Sequence, residues 1–104
     1  MKFTLSIERP YFVMENGYYG IFIDDFISLD CFTLNIHILE LRKVLFGKLE
    51  KSEIFGTVCT IINFNKEKAK IFYYSDTYVG EESTIDIYNI LKIMLEKKIE
   101  NGEE

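Results

Sequence analysis

A helix that is apolar on two opposite sides has to be covered twice, and the segment 29–46 carries that pattern. At 100° per residue, Phe32, Ile36, Leu39 and Phe46 fall on one stripe. Leu34, Ile38, Leu41 and Leu45 fall on a second, nearly opposite. A helix at the surface of a domain needs only one stripe to join a core. The segment is therefore either enclosed between a sheet and another element, or it offers one stripe to a partner. Leu34, Ile36 and Ile38 also alternate with Asn35 and His37 as a strand would, but the length of the run and Leu39 favour helix. Ser28 serves as the expected N-cap, Asp30 suits the helix dipole and Gly47 closes the helix.

The other segments read mainly as strands. Phe3, Leu5 and Ile7 alternate with Lys2, Thr4, Ser6 and Glu8, the period of a half-buried strand, and Pro10 ends or bends that run. Tyr11 to Met14 leads into Asn16-Gly17, a strong hairpin signal, so Tyr18 to about Asp24 is expected as the returning strand, with Gly20 marking a bulge or a close backbone approach. Residues 54–64 and Ala69 to Tyr74 form a second hairpin around Asn65-Lys66-Glu67. Residues 75–84 are the longest polar connection. Ser83 with Asp86 has the spacing of a capping box, and a last helix from about Thr84 to Glu100 carries one stripe of Ile87, Ile90, Leu91, Met94 and Leu95. The expectation is a single α+β domain over 1–104, with residues 100–104 frayed. It is an antiparallel sheet of four to five strands, in two hairpins, with two helices packed on one face.

Charge and cysteine content narrow the function classes. Twelve Lys and Arg stand against 17 Asp and Glu, a net charge of −5, which argues against nucleic acid as a partner. Such a balance serves solubility alone or fast encounter with a basic partner. Cys31 and Cys59 lie in apolar segments and read as small buried hydrophobes. The N-terminus lacks the continuous apolar stretch of a signal peptide, and no run approaches a membrane span. The expected setting is the cytoplasm, with reduced thiols, no membrane partner, no cofactor and no metal.

Catalytic constellations are thin. Asp24 and Asp25, adjacent in an extended segment, point to opposite faces and do not line one pocket. With Asp30 they read as a structural corner or as an acidic edge facing a partner. His37 has Glu40 three positions on, which a surface hydrogen bond explains as well as a general base does. The segment of Asp76, Tyr78, Glu81 and Glu82 joins an aromatic to carboxylates, a binding-surface pattern that also suits a solvated helix N-terminus. The expectation is a non-enzymatic protein.

The run Tyr18-Tyr19-Gly20-Ile21-Phe22-Ile23-Asp24-Asp25-Phe26 leads into a helix, a hairpin, a Tyr/Asp/Glu loop and a terminal helix. In size, acidity and element order the chain resembles small bacterial immunity proteins of contact-dependent growth-inhibition systems. The resemblance implies a cytoplasmic inhibitor that binds the C-terminal toxin domain of a cognate effector, often a basic nuclease. Acidic side chains would steer and pair with the toxin's Lys and Arg, and aromatic anchors would add affinity. Two alternatives stand beside it. One is a self-associating structural or regulatory domain, a homodimer through the helix at 29–46. The other is a small enzyme using Asp24, Asp25 or His37.

Overall fold

The computed structural model describes residues 3–6, 12–14 and 19–103. Pro10 and the Asn16-Gly17 turn lie outside the described residues. Strands β1 (Phe3–Leu5) and β2 (Phe12–Met14) pair antiparallel, with Phe3 opposite Met14. The expected return strand from Tyr18 to Asp24 does not form, because Gly20–Ile27 is a helix, α1. Tyr19, Phe22, Ile23, Phe26 and Ile27 recur at helical spacing and are all buried, while Asp24 between them is exposed. Their β-branched and aromatic character suggests strand, but burial of this one face decides for helix.

The two-striped segment is helix α2 (Cys31–Leu45). Its N-cap is Asp30, whose Oδ1 accepts from the Thr33 N–H at 2.7 Å. Ser28, the expected cap, instead ends α1 and donates its hydroxyl to the Asp24 carbonyl. At the other end the Lys48 N–H reaches the Lys43 carbonyl at 2.8 Å and the Gly47 N–H the Val44 carbonyl at 3.1 Å. This double closure requires the left-handed backbone of Gly47, φ +81°.

Four strands form the main sheet in the order β3 (Lys51–Phe55), β4 (Thr60–Asn65), β5 (Lys68–Tyr73), β6 (Thr77–Ser83), every pair antiparallel. Two expectations are corrected here. The run 54–64 is not one strand, since residues 56–59 turn the chain between β3 and β4. Most of the polar connection at 75–84 is strand β6, in which Tyr78 points out and Val79 is buried. Between β4 and β5, the Asn65 side chain accepts from the Glu67 and Lys68 N–H groups at 2.9 Å each, the expected short turn. Helix α3 (Thr84–Glu100) follows at once, and its Ser83 cap accepts from the Asp86 N–H.

Helices α2 and α3 lie against one another and on the same side of the sheet. Leu34, Leu41, Ile54, Ile62, Ile71, Ile87, Leu91 and Met94 meet there, all fully buried. This is the expected α+β packing, with α1 added. Lys98 is also buried, only 2% exposed, and donates from Nζ to the Ile27 carbonyl at 2.7 Å, tying α3 to the last turn of α1. Within the segment expected to fray, the Glu103 N–H bonds the Lys98 carbonyl at 2.8 Å and the Cys31 thiol reaches the Glu103 carbonyl at 3.4 Å.

Candidate functional site

One end of the main sheet gathers two turns and the C-terminal half of α1. The organiser is Asp25. Its Oδ1 accepts from the Val58 N–H at 3.0 Å, and its Oδ2 accepts from Cys59 at 2.9 Å and Thr60 at 2.8 Å. Its main-chain carbonyl accepts from the Thr57 N–H and hydroxyl. Three successive N–H groups converging on one carboxylate make an anion nest filled by the protein itself. Gly56 lets the turn approach, since a Cβ there would stand 2.7 Å from Asp25 Oδ2. Burial pushes the Asp25 carboxyl up, but the hydrogen bonds from Cys59, Thr60 and Val58 outweigh it and hold the group below its ordinary value. Asp25 is 5% exposed and is thus a fold-holding group rather than a surface contact.

The second turn, residues 74–76, joins β5 to β6 and is tied to the first by the Tyr74 N–H on the Cys59 carbonyl at 2.9 Å. Tyr74 and Ser75 both have positive φ, 58° and 65°. Non-glycine residues in this region are disfavoured by about 1–2 kcal/mol each. The strained turn holds the Tyr74 side chain 68% exposed. Beside it, Val58 and Tyr78 are exposed as well.

These tips border an apolar row on the open face of the sheet. The register aligns Phe55 with Ile61, Ile61 with Phe72, and Phe72 with Tyr78. Phe72 and Tyr78 meet edge-on with ring centroids 5.6 Å apart. The next row is polar: Glu53, Asn63, Lys70 and Glu81. An apolar strip with a charged margin is the build of a docking surface.

The expected site residues divide by place. Asp76 and Tyr78 belong to this end, as does Asp24 through its neighbour Asp25, and all three are exposed. Glu81 is on the open face but pairs with Lys68 at 3.8 Å. Glu82 turns to the other face, where it accepts from the Tyr19 hydroxyl at 2.8 Å. Asp30 caps α2. Of the two expected surfaces, Asp25 is withdrawn into the fold and Glu82 turns to the helix side, while Asp24, Asp30, Asp76, Tyr78 and Glu81 stay exposed. Tyr73 and Tyr74 read from the sequence as the end of a strand leading into the polar loop, one of them exposed; Tyr74 is the exposed one but stands in the turn, and Phe55 and Phe72 were missed. Their signal was strand alternation, which puts Phe55 on β3 and Phe72 on β5 on the face away from the helices, in one row with Ile61 of β4 between them.

His37 is half-buried against the Phe26 ring, centroids 6.0 Å apart. Burial lowers its pKa, against the pull of the Phe55 main chain and Glu40. Burial and then the Asp25 charge raise the Cys59 thiol, which disfavours the reactive thiolate. Among the described residues no three His, Cys, Asp or Glu side chains group to hold a metal, and no helix is long and apolar enough to cross a membrane. No protein-family model, curated protein or solved structure matches the chain.

Proposed function

We propose that this chain is a non-enzymatic binding module that neutralises a cognate toxin domain, in the manner of an immunity protein, by docking through the turn end of its open sheet face. The observation that carries the reading is the strained presentation of Tyr74 beside the Phe55, Ile61, Phe72 and Tyr78 row. A turn that serves only connection favours Gly or Asn at positive φ. A tyrosine held there supplies a rigid amphipathic anchor at low entropic cost. The net charge of −5, with Asp76 exposed two residues from the anchor, favours a basic partner and fast encounter with it.

Co-expression tests the reading. The protein is produced together with the toxic C-terminal domain of a large effector encoded beside its gene. Growth is restored with the wild type and not with Tyr74→Ala combined with Tyr78→Ala, the double variant folding normally. Toxicity that persists with the wild type contradicts the proposal, as does full protection by the double variant.

A further inference from the structure

The two stripes of α2 have separate fates. Leu34, Ile38 and Leu41, with Val44 beside them, are buried in the core. The opposite stripe is left outside: Phe32 is 76% and Phe46 69% exposed, with Ile36 and Leu39 between them also exposed. Residues 32, 36, 39, 43 and 46 follow the alternating four- and three-residue steps of a coiled-coil seam. Lys43 holds one of these positions, and its charge is paired with Glu40 at 3.5 Å, leaving its stem to lie along the seam.

We infer that this stripe is the interface for a second copy of the chain, packed antiparallel across a two-fold axis near Leu39. Three features select this occupant. First, Phe32 and Phe46 each stand seven residues from Leu39, so the axis brings Phe32 of one copy onto Phe46 of the other. Arg42 already lies over the Phe46 ring at 5.6 Å, which makes that contact a cation–aromatic cluster. Second, the antiparallel sense sets the start of each helix, capped by Asp30, level with the end of the other, where Arg42 and Lys43 lie, an arrangement that the helix dipoles favour. A parallel pairing would oppose Lys43, which lies on the seam, to Lys43. Lys43 thus disfavours the parallel sense. Third, the four apolar side chains expose on the order of 450 Å². Covered in both copies, with the flanking stems of Arg42, Lys43 and Lys48, the total reaches about 1,200 Å², the lower edge of a specific interface. A dimer with an interface this small is expected to be weak and to exchange readily. It is independent of the sheet surface, which lies on the side of the sheet away from α2.

Sedimentation equilibrium of the full chain from about 5 to about 500 μM tests the inference. The wild type rises from monomer toward dimer mass across this range. Leu39→Glu and, separately, Phe32→Ser keep the wild-type circular dichroism spectrum and weaken association at least tenfold. A wild type that stays monomeric at the highest concentration overturns the dimer, as does a Leu39→Glu variant that associates like the wild type. A monomeric wild type whose Leu39→Glu variant loses a toxin domain also overturns it, and assigns the stripe to that protein.

Discussion

The N–H of Thr60 donates to the carboxylate of Asp25 at 2.8 Å across 35 positions of sequence. This bond and its two neighbours hold the β3–β4 turn against α1. Asp25→Asn places an amide N–H₂ or a neutral carbonyl where three donors converge. It is expected to destabilise the protein by about 2–4 kcal/mol. Urea unfolding measures this, and a loss below about 0.5 kcal/mol would show that the turn holds itself.

Acid should lower the stability of the protein in two steps. The folded-state pKa of His37 is below its ordinary 6.5, so the unfolded chain takes up that proton first and stability falls as pH drops below 6.5. The folded-state pKa of Asp25 is below its ordinary 3.8. Its contribution is complete above 3.8 and is lost as pH falls through the lower folded-state value. Thermal melting from about pH 8 to about pH 3 should be flat at the top of this range and fall in both steps. His37→Gln should remove the first step only.

The β5–β6 turn trades stability for presentation. Ser75→Gly relieves a positive φ and should raise stability by about 0.5 kcal/mol, net of the added freedom of the unfolded chain. Tyr74→Gly should do the same while removing the anchor, so that stability rises and toxin binding falls together. A destabilised Tyr74→Gly would mean that the tyrosine is held for the fold.

Gly47 closes α2 with φ +81° and has open space where a Cβ would be. Gly47→Ala therefore meets a backbone penalty and no clash, and should cost about 1 kcal/mol in thermal or urea unfolding. A neutral effect would show that the helix end adjusts without its left-handed residue.

Legibility followed periodicity. Helix α3, its Ser83 cap and the β4–β5 hairpin were readable because pattern, turn chemistry and caps agree there. Helix α1 was misread because Gly20, Ile21, Phe22 and Ile23 have strand composition, whereas Phe22, Ile23, Phe26 and Ile27 have helical spacing. Strand β6 was hidden by its polar outward residues and by the register shift beside Val79. Within the site, charge alone identified carboxylates but not their use. Asp25 and Glu82 are satisfied by groups distant in sequence, and only the fold supplies those partners. For α2 the sequence showed both stripes, while choosing which one is buried required the sheet.

The most direct test of the docking surface is a calorimetric titration of the toxin domain into the wild type, Tyr74→Ala, Tyr78→Ala and Leu39→Glu. Docking through the turn end predicts a one-to-one complex. Each tyrosine change should weaken it by about 2 kcal/mol or more, roughly 30-fold in Kd, without loss of melting temperature. Leu39→Glu should leave it intact. Wild-type affinity in both tyrosine variants would contradict a binding surface at this end of the sheet.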